Sequence, residues 1–449
     1  MRWLWPVALL ASLGCDVKVP LGVGPSEGRE FVAVIPSTPR SQVDLLVVVD
    51  DSGSMAEEQS NLAAALATDL FGVFAEPPSL HIGVTTTNLG GGADASCAGD
   101  GDGGRLINTS RVVGDCSAEP GDAYIVDLRL EDGSRLRNYD GTLDQSLACL
   151  VQVGTSGCGF EQPLGAARRA LEGGGDFSRA DSVLAVLLVT DEDDCSTSGS
   201  ELFESAVCSD SFDVASCPLG PLGSFRCFEQ GVTCDQDDRR GLGQKFGCRA
   251  SDSGLLLSPR EIARSLRARR QAPSNIVVGL ISPPSGPVVV DSGQGPDSMP
   301  APVLAPACES ELGSAAPAPR LASFMAEFPG QASFGSVCEG IGPSLARFGA
   351  LLRDTVEARP CLRGPLTDIA DEPGLQPDCA VFDAGGYGTS DPTFVDVPRC
   401  SGMRRPCFRL ESAPECSHTE TGLAVRVDRN VELGPNSAVV VECKTPSPR

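Results

Sequence analysis

Three near-continuous apolar runs constrain this chain more than any other feature: Val43–Val49 (VDLLVVV), Val183–Val189 (VLAVLLV) and Ile276–Ile281 (IVVGLI). A strand with one wet face alternates apolar and polar residues, because successive side chains point to opposite faces of the sheet. Runs without that alternation suit strands buried on both faces, as in a parallel sheet covered by helices. Helical patterns lie between the runs. Over Ala56–Ala75, Leu62, Leu66, Leu70 and Phe74 recur every four residues. Leu80–Thr85 reads as a further strand, and Gln145–Val151 and Leu164–Leu171 read as short helices. Ser258-Pro259-Arg260-Glu261 has the form of a capping box with proline at the first helical position, opening a helix to about Arg270. Helices near Leu321–Phe328 and Pro343–Val356 bracket a last strand at Ser333–Val337. Strands alternating with helices predict an α/β fold over residues 41–357, doubly wound, with a mostly parallel sheet flanked by helices.

Two stretches interrupt that rhythm. Residues 88–142 are Gly/Asp-rich with Cys97 and Cys116, and residues 195–257 carry six cysteines. Both read as insertions held by disulfides with little regular structure. Residues 282–306 are rich in Pro, Gly and Ser and are expected to be mobile. From residue 358 short β-like runs appear, with Cys361, Cys379, Cys400, Cys407, Cys416 and Cys443, which predicts a small C-terminal all-β domain over 358–449. The chain of 449 residues is long enough for two or three domains. Its 19 cysteines include no C-x-x-C pair, which points to disulfides and an oxidising, extracytoplasmic setting. A net charge of −25 argues against nucleic acid as a partner and fits carboxylate sites for hard cations.

The first residues agree with export. Met1-Arg2 is followed by the apolar stretch Trp3–Leu13, too short to span a bilayer and of signal-peptide length. Ser12-Leu13-Gly14-Cys15 resembles a bacterial lipobox, with Ser12 where leucine is usual. The expectation is a signal peptide over 1–14, lipid attachment at Cys15 and a Pro-rich tether over 15–40. Such a chain would be a lipoprotein of the cell membrane or outer membrane; simple secretion or a periplasmic location is the alternative. Without Cys15 the cysteine count is even, as complete pairing requires.

The chemistry concentrates at two strand ends. Val47-Val48-Val49-Asp50-Asp51-Ser52-Gly53-Ser54 closes the first apolar run with D-x-S-x-S, one carboxylate and two hydroxyls at alternate positions before a helix. Val189-Thr190-Asp191 closes the second run with another carboxylate. The carboxyl edge of an open α/β sheet is where such folds place ligands, and oxygen-only donor sets suit Mg²⁺. These motifs, in this order of strands and helices, resemble the von Willebrand factor type A (integrin I-domain-like) family. The resemblance implies a metal-ion-dependent adhesion site in which Asp50, Ser52, Ser54 and Asp191 hold a divalent cation, Mg²⁺ before Mn²⁺ or Ca²⁺. The family's threonine has no direct counterpart: either Thr155 loops back to the ion or Glu161 replaces the hydroxyl. The implied function is metal-dependent binding of a protein or surface polymer at the bacterial envelope, without enzymatic turnover. A structural envelope protein with a purely stabilising ion is the alternative.

Other chemistries have weaker support. Asp50 and Ser52 could simply cap the following helix. Glu192, Asp193 and Asp194 read as a solvated acidic loop. Asp51-Ser52-Gly53 and Asp291-Ser292-Gly293 resemble the paired turns of aspartic proteases, a less favoured hydrolase reading, because the residues after Ser54 are helical in pattern. A serine hydrolase needs a histidine base, and the two histidines, His81 and His418, read as structural. No cluster has zinc-ligand spacing, and no glycine loop of the phosphate-cradling kind occurs.

Overall fold

The computed structural model describes residues 28–91, 99, 101–116, 122–204, 208–252, 254–295, 298–310, 313–371 and 373–446. The expected signal peptide and Cys15 lie outside these residues. Along the chain, β1 (Glu30–Pro36) and β2 (Gln42–Val49) precede α1 (Ala56–Phe71) and β3 (Ser79–Thr86). The first insertion carries β4 (Ile125–Arg129) and β5 (Arg135–Arg137), followed by α2 (Leu143–Leu150), α3 (Pro163–Gly173) and β6 (Val183–Val189). The second insertion carries α4 (Ser224–Gly231). Then come α5 (Pro259–Arg267), β7 (Ile276–Ser282), β8 (Val288–Gln294), β9 (Pro300–Leu304), α6 (Pro319–Ala326), β10 (Ala332–Ser336) and α7 (Ile341–Val356). The last segment holds β11 (Cys379–Gly385), β12 (Thr393–Val397), β13 (Cys407–Ser412), β14 (Leu423–Asp428) and β15 (Ser437–Cys443).

The three apolar runs are neighbours in one seven-stranded sheet of order β10-β7-β6-β2-β3-β4-β5. The first five strands run parallel; β4 and β5 add antiparallel to one edge. Each face of the sheet is covered. Leu45, Val47 and Val49 of β2 meet Leu62, Leu66 and Leu70 of α1 and Leu345, Phe348 and Leu352 of α7. Leu46 and Val48 meet Leu164 and Leu171 of α3, Ile262 and Leu266 of α5, and Leu321 and Phe324 of α6. Burial on both faces explains the lack of alternation, and each such side chain contributes about 1.5–3 kcal/mol. Asp44, the one charged residue of β2, is fully buried at the opposite end of the strand from Asp50. Arg179 and Arg270 neutralise it, with Nε of Arg179 at 2.7 Å.

Four expectations need correction. Residues 30–36 of the expected tether are strand β1, paired antiparallel with β15, so the chain's first described strand completes a four-stranded sheet of order β1-β15-β11-β12. The first insertion is not irregular throughout, since β4 and β5 extend the main sheet. Residues 282–306, expected to be mobile, contain the β8–β9 hairpin, whose Val288 and Val290 are buried against Phe225 and Phe228 of α4. Ser258 does not cap α5; its hydroxyl donates instead to Asp252.

All seventeen described cysteines are in disulfides. In the last segment Cys361–Cys416, Cys379–Cys443 and Cys400–Cys407 pair among themselves, beside the β13–β14 hairpin and the β11–β15 pair. Cys400–Cys407 closes a loop with a sequence separation of only 7. A Cys400→Ser/Cys407→Ser protein is therefore expected to lose roughly 2 kcal/mol, read as a lower urea midpoint than the parent's. Among the described residues no helix is long and apolar enough to cross a membrane.

Candidate metal centre

Parallel pairing of β2 with β6 aligns Val49 with Val189, so Asp50 and Asp191 leave adjacent strands at the same edge of the sheet. The Asp50 amide donates to the Val189 carbonyl at 3.0 Å. One carboxylate oxygen of Asp50 accepts from the Ser52 amide at 2.8 Å and the other from the Thr190 hydroxyl at 2.6 Å. The Ser52 and Ser54 hydroxyls are 3.2 Å apart, and Ser54 also bonds Asp191. Four of the expected ligands thus form one cluster of carboxylates and hydroxyls. Thr190, read in the sequence only as part of the strand-end motif, joins it by orienting Asp50.

Its electrostatics are one-sided. Burial, with Asp191 alongside, pushes the Asp50 carboxyl up to about 7. Burial also raises Asp191, whose Oδ1 is shut away from solvent without a hydrogen-bond partner. Glu58, on the first turn of α1, feels Asp191 too, and its Oε2 is likewise buried and unpartnered. Nothing in its sequence position sets it apart from Glu57, the other acid in that turn. Thr87, just past the end of β3, has a third such atom, Oγ1; its amide donates to the carbonyl of Val49. Among the described residues no arginine or lysine pairs with Asp50, Asp191 or Glu161. Acceptor-only groups packed together without a cation repel one another, and a hard divalent ion meets both their charge and their empty lone pairs. The residues therefore fit the expected ion.

Thr155 and Glu161 take different places. Thr155 is exposed and makes no hydrogen bond among the described residues. Its loop is nonetheless strapped to the Asp50 turn. Gln59 Nε2 donates to the Asp50 carbonyl at 2.8 Å and to the Gly154 carbonyl at 2.7 Å, and the Gly157 amide donates to the Asp51 carbonyl at 2.7 Å. A Cβ on Gly157 would stand 2.3 Å from Asp51 Oδ1, so only glycine allows this approach. Glu161 is 1% exposed, and its carboxyl is raised well above the usual range by burial, by Glu192 and by Asp50. Of the two, Glu161 is the one in electrostatic reach of Asp50. Asp51 is committed elsewhere: Arg111, from the first insertion, bonds it at 2.5 Å and also grips Asp102.

The residues after Asp191 are not a solvated loop. Asp194 is fully buried, pairs with the fully buried Arg320 and accepts from the Leu164 amide at the start of α3. Asp193 accepts from the amides of Arg320 and Leu321, capping α6. Their negative charge faces helix N-termini, where the helix dipole favours it. Spacing could not reveal this, because both helices come from distant parts of the chain.

The remaining chemistry is placed as follows. Asp291 is exposed on β8 and accepts from its neighbour Ser292, while Asp51 is held by Arg111, and neither is the other's partner. His81 Nδ1 bonds the Phe177 carbonyl at 2.9 Å, and His418 Nε2 lies 2.8 Å from Asp354 of α7. Two further groups bring metal-ligand side chains together, Asp354 with Cys361 and His418, and Cys400 with Cys407 and Asp428. Their cysteines are in disulfides and offer no thiolate. No protein-family model matches this chain, and no curated protein matches it.

Proposed function

We propose that the chain is a von Willebrand A-like binding protein of the bacterial envelope. In this reading Asp50, Ser52, Ser54 and Asp191 hold Mg²⁺, and the ion's outward coordination position takes an oxygen from a protein or surface polymer. The observation that supports it best is the shared sheet edge: two carboxylates on adjacent strand ends, linked through the Ser52 and Ser54 hydroxyls, with Asp191 Oδ1 buried and unpartnered. Two carboxylates balance one dication, which leaves the ion able to accept an anionic ligand oxygen. The lipobox-like Ser12-Leu13-Gly14-Cys15 would hold the protein at a membrane. Labelling with a tagged fatty acid tests that part; equal labelling of a Cys15→Ser protein would end it.

The complete burial of Asp50 favours a second reading, an ion that only stabilises the fold. One experiment separates the two. Immobilised protein is loaded with Mg²⁺, exposed to solubilised envelope material, then washed with EDTA while circular dichroism follows the fold. Release with an unchanged spectrum supports adhesion. Unfolding in EDTA supports the structural ion, and retention in EDTA with the fold intact rejects both.

A further inference from the structure

We infer that the chain has a second divalent-cation site, built by Glu161, Glu192 and Ser224 and separate from the Asp50–Asp191 centre. Three elements far apart in sequence converge there. Glu161 precedes α3, Glu192 follows β6, and Ser224 opens α4 in the second insertion. All three line one cavity together with Asp193, Phe160, Phe228 and Leu304, and Asp193 is already held by the Arg320 and Leu321 amides. The Glu161 and Glu192 carboxyl groups are within hydrogen-bonding reach of each other, and Ser224 bonds Glu192. Glu161 Oε1 is buried without a partner.

Two facing carboxyl groups against aromatic and aliphatic walls cannot both stay ionised alone; a proton, a cationic side chain or a metal ion must come between them. Size rules out a further cationic side chain. The cavity offers a small group about 20 Å³. That is somewhat more than the roughly 10–15 Å³ a water needs, and far too little for a guanidinium and its stem. Neighbouring cations are already engaged, since Arg320 is bound to Asp194 and Arg240 to Glu229. An oxygen-only set of two carboxylates and a hydroxyl suits Mg²⁺ or Ca²⁺. This arrangement also frees the first centre from Glu161, so that its ion keeps a balanced charge.

The inference goes beyond the binding function and is tested apart from it. The full exported chain is equilibrated with Mg²⁺, and in a parallel set with Ca²⁺, at pH 7.5, and bound metal is counted per chain by elemental analysis. Two ions are expected for the parent. Glu192→Gln is expected to lose one ion, and Ser224→Ala, placed on another element, to weaken the same one. Asp191→Asn is expected to lose the other and to keep the ion that Glu192→Gln removes. Glu192→Gln binding as many ions as the parent would overturn the inference, the pair then sharing a proton or a water. A parent with one ion that both Glu192→Gln and Asp191→Asn abolish would also overturn it, showing a single merged centre. Should Glu192→Gln fail to fold, Ser224→Ala decides: unchanged affinity for both ions rejects the site.

Discussion

In metal-free buffer the protein is expected to lose stability as pH rises from about 4 to 7, and Asp50→Asn to remove the part of that loss that Asp50 contributes. Asp50 sits at about 7 in the folded chain against 3.8 ordinarily, because burial and Asp191 oppose its charge. Below pH 4 the carboxyl is protonated in both folded and unfolded chains, and its favourable contribution is complete. Between these values the unfolded chain ionises while the folded chain holds its proton, so the contribution shrinks with each step of pH. The loss levels off near pH 7 at about 4 kcal/mol, from roughly three pH units at 1.36 kcal/mol each. Asp191 and Glu161, raised for the same reasons, act in the same direction. Saturating Mg²⁺ is expected to flatten the part of the slope that comes from Asp50 and Asp191, because a bound ion stabilises their ionised folded forms. Urea unfolding in EDTA at pH 5 and pH 7.5 measures the effect. Equal slopes for the parent and Asp50→Asn would show that the Asp50 carboxyl is not desolvated.

The second large effect is expected at Arg320. Its side chain is fully buried, and its guanidinium donates to the Asp194 carboxylate and carbonyl, each at 2.8 Å, and to the carbonyls of Leu257 and Gly231. Arg320→Met removes those donors and leaves a carboxylate uncompensated in the interior, at a cost of about 3–5 kcal/mol. Adding Asp194→Asn is expected to recover part of it, since an amide oxygen still accepts from the Leu164 amide and no bare charge remains. Chemical denaturation of the single and double variants reads both. A double variant less stable than Arg320→Met would show that the Asp194 charge is useful without its partner. Because Asp194 lies three residues beyond Asp191, the single variant should also weaken Mg²⁺ binding at the proposed Asp50–Asp191 site.

Much of the α/β part was legible because its signals are local. Val43–Val49, Val183–Val189 and Ile276–Ile281 lack alternation, which only burial on both faces tolerates, and they are adjacent central strands. Asp50, Ser52 and Ser54 act within one turn, so their spacing alone suggested a shared centre. The strand inside the expected tether was missed for the opposite reason. The pairing of Glu30–Pro36 with Ser437–Cys443 crosses nearly the whole chain, and a short run such as FVAVI carries no mark of its partner.

The amino-acid sequence by itself determined which segments must be buried and which short loops gather oxygen ligands, since both follow from periodicity and side-chain chemistry over a few residues. Only the tertiary structure decided how four consecutive acids after β6 divide their work. Asp191 turns to the Asp50 cluster, Glu192 to the cavity with Glu161, Asp193 to the amides of α6, and Asp194 to Arg320 and α3. Nothing in their spacing separates them. What each carboxylate does depends on the hydroxyl, carboxyl, amide or guanidinium facing it, and those come from distant parts of the chain that meet only once the sheet is assembled.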